Sequence, residues 1–248
     1  MRYWAALGLA MLYPTLLAWV YFVALARTSS QDRSTVSSAA KHNPTVVAAY
    51  TLGKLVQFAL PLLWLWRVER RGIRLTRPTS RGLGRGLAFG LAVWVGTFAL
   101  YELLRRHTTL LNGMAARLHA KIQEFGLEIP VAYILFAAFL CVVHSLLEEY
   151  YWRWFIFGRL RQRIPLSGAI VLSSLAFMAH HVVILAVFLP GRFWVLALPL
   201  AAGVAVGGAF WAWLYERSET LYAPWLSHAI VDGGIMAVGY QMLFGQSV

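Results

Sequence analysis

The chain has 248 residues, of which 60% are hydrophobic and only 13% charged, well short of the roughly quarter-charged composition of a soluble domain. Its net charge of +12 would suit nucleic acid, but the arginines cluster in short loops between apolar runs, where positive charge orients a membrane protein, so nucleic-acid binding is set aside. The single cysteine, Cys141, lies inside an apolar run and leaves no disulfide framework and no cysteine-based metal motif.

Taken in order, the apolar runs predict spans near 3–26, 45–66, 83–104, 129–157, 167–189, 193–215 and 221–244. The fold class expected is therefore all-α, a polytopic transmembrane helix bundle of about seven to eight spans, forming a single membrane domain over 1–248. The first run follows Arg2 and ends Ala24-Leu25-Ala26, like a secretory signal. It is too long for one, since signal cores span about 7 to 15 residues, and it reads as the first span. A polar loop follows over 27–44. Seven arginines, Arg67, Arg70, Arg71, Arg74, Arg77, Arg81 and Arg85, fill the next loop, and Arg159, Arg161 and Arg163 fill a later one. Two crossings separate these loops, so both fit the cytoplasmic side, with the N-terminus inside and the C-terminus outside. The loop at 105–128 is basic too and has room for an eighth, re-entrant or interfacial segment. Trp64, Trp66, Trp152, Trp154, Trp211, Trp213 and Trp225 lie near span ends and read as interfacial anchors. Gly86 with Gly90, and Gly203 with Gly207, are small-residue pairs that allow helices to approach closely.

Ionisable groups at membrane depth cost roughly 2.5–3.5 kcal/mol each even on the lenient insertion scale, so those inside spans call for a reason. The fourth span carries Glu148-Glu149-Tyr150-Tyr151-Trp152-Arg153, the fifth carries Phe177 to His181, and the seventh carries His228 and Asp232. Glu149 and Arg153 are four apart and can pair, which leaves Glu148 to face a neighbouring helix. His228 and Asp232 share a face for the same reason. His144 lies one turn before Glu148, where it either lines the same site or bonds a neighbouring helix. Phe177 reads as packing that shapes a pocket, and His180, about 100° from His181, as structural. A glutamate withdrawn from bulk water makes a good proton acceptor for a water nucleophile, and positioned donors would stabilise the tetrahedral intermediate. Zinc is the alternative, held by His181, His228 and Glu148. There is no HExxH, and the metal-free reading is preferred.

EExxxR at 148–153, FxxxH from Phe177 to His181 and HxxxD from His228 to Asp232 together resemble the motifs of the CPBP family, which contains the type II CAAX prenyl proteases and bacterial Abi proteins. The resemblance covers residues 129–240, a CPBP-like catalytic core. It implies an intramembrane endopeptidase in which Glu148 acts with His181 to activate water, while His228 and Asp232 help to hold the oxyanion. Where the family more often has Asn, this chain has Asp232. An ionised carboxylate donates no hydrogen bond, so Asp232 is expected to orient His228 or the water instead. The implied partners are membrane lipid and a membrane-associated peptide or protein substrate. Short loops suggest a bacterial-type protein of the cell (inner) membrane, where a signalling or bacteriocin-like peptide fits better than a prenylated CAAX protein. A non-catalytic scaffold or immunity protein with this fold, and a proton-coupled transporter, are the rival readings.

Overall fold

In this computed structural model, residues 2–24, 44–70 and 79–245 are described. The loop at 27–43 and Arg71, Arg74 and Arg77 of the first basic loop lie outside them. Among the described residues there is no strand, as the all-α reading requires. The helices are α1 (Arg2–Trp19, continued by a π-helical turn, Val20–Ala24), α2 (Pro44–Trp64, continued by Leu65–Glu69), α3 (Leu83–His107), α4 (Met114–Glu124), α5 (Pro130–Arg161), α6 (Leu166–Phe188), α7 (Phe193–Ser218) and α8 (Tyr222–Phe244). Six of them, all but α4 and α8, are long and apolar enough to cross a membrane. The chain is thus an integral, multi-pass membrane protein. α8 has 23 residues, about 35 Å of helix, and is set apart from those six by the polar residues Ser227, His228 and Asp232. The 105–128 loop does hold an extra element, α4, but its 11 residues span only about 16 Å, half a bilayer core. With Met114 and Leu118 half-buried, Ile122 buried and Arg117 and His119 exposed, α4 suits the membrane interface.

Local chemistry sets the helix boundaries. Pro130 occupies the first turn of α5, where its missing N–H is no loss, after an extended Ile129. Pro165 precedes α6 with φ −55° and ψ 153°. Gly82, at φ 82°, opens α3 from a left-handed conformation that a Cβ would resist. α5 is not uniform: wider π-helical turns at Leu140–His144 and Tyr150–Phe157 flank the α-helical stretch Ser145–Glu149, which contains both glutamates. Such turns free backbone groups for other partners. Val142 O, inside the first, accepts from Trp225 Nε1 at 2.9 Å.

The chain divides into two compact units, 1–76 with 154–209, and 77–153 with 210–248. In the first, α1 packs on α6 and α2. Arg159 reaches across to Glu69 with one edge of its guanidinium, Nε at 2.6 Å and Nη2 at 3.2 Å, and Glu69 also accepts from Trp64 Nε1 at 3.0 Å. In the second, α8 lies along α3 and also touches α4 and α5. Three glycines permit the α3–α8 approach: a Cβ on Gly86 would come 2.6 Å from Ala223 O, one on Gly90 3.0 Å from Ser227 O, and one on Gly234 2.6 Å from Trp94 Cδ1. Of the two small-residue pairs named above, Gly86 with Gly90 is therefore an interface. At Gly203 a Cβ would meet nothing within 4 Å.

The tryptophans correct the reading of nearly all of them as interfacial anchors. Trp66 is exposed, but Trp64, Trp152 and Trp211 are buried. Proximity to a span end in sequence does not show which face of a helix a ring occupies.

Candidate active site

The second unit collects Glu148, Glu149, Arg153, His228 and Asp232 in one place. α5 supplies the first three from consecutive turns, and α8 supplies the others from one face. Glu148, Glu149, Arg153 and His228 are buried. Glu149 Oε2 lies 3.1 Å from Arg153 Nε, the four-residue pair expected from spacing. Its other oxygen, Oε1, accepts from His228 Nδ1 at 2.7 Å, across 79 residues of sequence. An ionised carboxylate only accepts, so Nδ1 carries the proton and Nε2 becomes the working end of the ring.

That working end faces two more acids. Nε2 is 3.5 Å from Asp232 Oδ1 and 3.8 Å from Glu148 Oε2. Glu148 Oε1 is in turn 3.9 Å from His144 Nε2, so His144 does stand beside Glu148, though beyond hydrogen-bond reach. Asp232, expected to orient His228 or the water, flanks Nε2, and Nδ1 is held by Glu149. Sequence spacing pointed to the i,i+4 neighbour and gave no sign of the long-range one.

Two residues of this unit, Trp211 and Ser227, had no place in the site as read from sequence. Trp211, on α7, stacks on the His228 ring with centroids 4.1 Å apart and planes 16° apart. Its Nε1 donates to Ser227 Oγ at 3.0 Å, and the Arg153 guanidinium carbon lies 5.0 Å from its ring centre. The α7–α8 turn sets this register. Glu219 adopts a left-handed φ of 57°, and Ser218 Oγ donates to Thr220 O at 3.1 Å. Residues 211 and 228 are then equally far from the turn's centre.

Phe177 and His181 belong to the first unit, on α6. His181 Nδ1 donates to Phe177 O at 3.1 Å, since a carbonyl can only accept, so its Nε2 also carries the lone pair in the neutral ring. The Phe177 ring is buried and packs edge-on against His181 at 4.8 Å. The FxxxH spacing thus places one ring against the other and fixes the histidine's tautomer.

Among the described residues no group of three or more His, Cys, Asp or Glu side chains is arranged to hold a metal ion. Both oxygens of Glu149 are already committed to Arg153 and His228. Arg153 and His228 stand among the three carboxylates Glu148, Glu149 and Asp232, and an ionised carboxylate is able to accept a proton.

No curated protein and no solved structure matches the chain. Residues 130–234, which contain α5, α6, α7 and the acid–histidine cluster, match the family model described as type II CAAX prenyl endopeptidase Rce1-like. Over that segment the chain is similar to the Rce1-like family of type II CAAX prenyl endopeptidases.

Proposed function

We propose that this chain hydrolyses a peptide bond of a membrane-associated peptide or protein, with Glu148 as acceptor for a proton of the attacking water. The observation that supports this most strongly is the buried arrangement of Glu148 facing His228 Nε2 while Glu149 holds His228 Nδ1 from behind. It lies inside the segment that matches a peptidase family. In the reaction, water oxygen attacks the carbonyl carbon and Glu148 takes the released proton. As the C–N bond breaks, Glu148 passes that proton to the leaving nitrogen and ends ionised, as it began. His228, as imidazolium, donates from Nε2 to the tetrahedral oxyanion, and its charge is matched by Glu149 and Asp232. A single donor of this kind contributes about 10²–10³ in turnover. The family resemblance adds a part for His181 in activating water. Its Nδ1–H is fixed by Phe177 O, which leaves Nε2 to accept.

The substrate class we infer is a peptide or protein held at the bacterial-type cell membrane. A prenylated CAAX protein is what the family description names, and it is the other outcome of the test. Membranes from cells expressing the wild type or Glu148→Gln are compared by proteomics of newly formed termini. Cleavages present with the wild type and missing with Glu148→Gln support the reading and reveal the substrate. Identical termini in both would refute it. Glu148→Gln keeps the shape of the side chain while removing its basicity, so turnover should fall about a hundredfold or more with binding retained.

A further inference from the structure

Holding an imidazole in one orientation takes two constraints, and only one of them comes from the acids around His228. The bond from Nδ1 to Glu149 fixes the direction of one ring atom. It leaves the plane free to pivot about that bond, and a pivot swings Nε2 away from Glu148 and Asp232. The second constraint is a surface. Trp211 lies against the His228 ring with planes 16° apart and centroids 4.1 Å apart, within the range of stacked aromatic pairs. We infer that Trp211 is a positioning residue, a plane that holds His228 so that Nε2 points at the proposed reaction centre. This rests on the peptidase reading for its consequence in turnover, but not for its geometry.

The indole is itself fixed on several sides. Its Nε1 donates to the buried Ser227 Oγ, Phe89 meets it edge-on at 6.5 Å and 81°, and the Arg153 guanidinium stands 5.0 Å from its centre. Ser227 immediately precedes His228 on α8, so the hydrogen bond and the stack tie Trp211 to two consecutive residues. Arg153 in turn pairs with Glu149. Trp211, Arg153, Glu149 and His228 therefore form a closed ring of contacts in which each member limits the next. Packing alone does not require this arrangement. A leucine could fill the space beside His228 but would present no flat face and no N–H.

The test uses full-length protein in detergent micelles, with ring-labelled histidine read by NMR, beside Trp211→Phe and Trp211→Leu. His228→Gln identifies the His228 signals. Phenylalanine keeps a flat face and leucine does not. In the wild type, His228 should show a single sharp set of ring N–H signals, with Nδ1–H shifted by its bond to Glu149 and ring-current displacement from stacking. Trp211→Phe should keep that single set, whereas Trp211→Leu, if folded by its melting curve, should broaden the signals or split them among ring orientations. Turnover is followed on a peptide that wild-type membranes cut in a Glu148-dependent way. Trp211→Leu should lower kcat about ten- to a hundredfold with KM little changed, and Trp211→Phe should restore most of it, since misplacement by about 1 Å costs about a hundredfold. If Trp211→Leu fails to fold, loss of stacking signals and kcat in Trp211→Ala, checked for folding in the same way, carries the test. An unaltered His228 spectrum and wild-type kcat in folded Trp211→Leu would overturn the inference. Should the wild type cut nothing, the peptidase reading falls while the His228 spectrum still decides the role of Trp211.

Discussion

At the scale of single residues, the acids around His228 do different work despite their chemical likeness. Glu149 bonds both Arg153 and Nδ1, so it is the residue that the geometry makes hardest to replace. Glu149→Gln leaves a guanidinium and an imidazole buried with weakened partners, a loss of about 3–5 kcal/mol when a buried pair is broken. A lower melting temperature and reduced folded yield in detergent are expected, and an unchanged melting curve would argue against the network. Asp232, 3.5 Å from Nε2, is not needed to hold the ring. Asp232→Asn should fold normally and retain turnover within about tenfold, as read on the same peptide. A collapse comparable to Glu148→Gln would instead give Asp232 a direct part in the chemistry. Exhaustive chelation should leave turnover unchanged, and zinc-restored activity after chelation would reassign His181, His228 and Glu148 as ligands. Local spacing made the Glu149–Arg153 pair legible, because i,i+4 neighbours meet on any helix. The bond from Glu149 to His228 spans 79 residues and depends on how α8 lies on α5, which no periodicity encodes.

Among the elements, α3 and α8 form the contact that sets His228 and Asp232 in place within their unit. Their approach depends on Gly86, Gly90 and Gly234, where added Cβ atoms would strike a carbonyl or an indole ring. Gly90→Leu should destabilise the fold by about 1–3 kcal/mol through overpacking, seen as a lower melting temperature, while Gly203→Ala should be neutral because nothing lies within 4 Å. Equal behaviour of the two would contradict the assigned interface. The small-residue spacing was visible in the sequence for both pairs, but only the fold tells that Gly86 and Gly90 meet a neighbouring helix and that Gly203 does not. Helices long enough to span were readable from apolar run length, and they recur with ends shifted by a few residues. The π-helical turns of α5 were not readable. They arise where backbone groups find partners off the helix, as Val142 O does with Trp225.

On the scale of the whole molecule, the composition alone fixed the solvent: a chain that is 60% hydrophobic and 13% charged belongs in lipid. The buried acids and histidines are then the exceptions, and their cost explains why they pair so closely in the second unit. The central claim is that the chain by itself hydrolyses a peptide bond through Glu148, which separates an enzyme from a scaffold of the same fold. The direct measurement places the purified chain alone in lipid nanodiscs with its Glu148-dependent peptide in ¹⁸O-labelled water. One ¹⁸O atom in each new carboxylate, formed by the wild type and reduced about a hundredfold or more in folded Glu148→Gln, is the result this account predicts. Labelled product formed at equal rates by both proteins would contradict it.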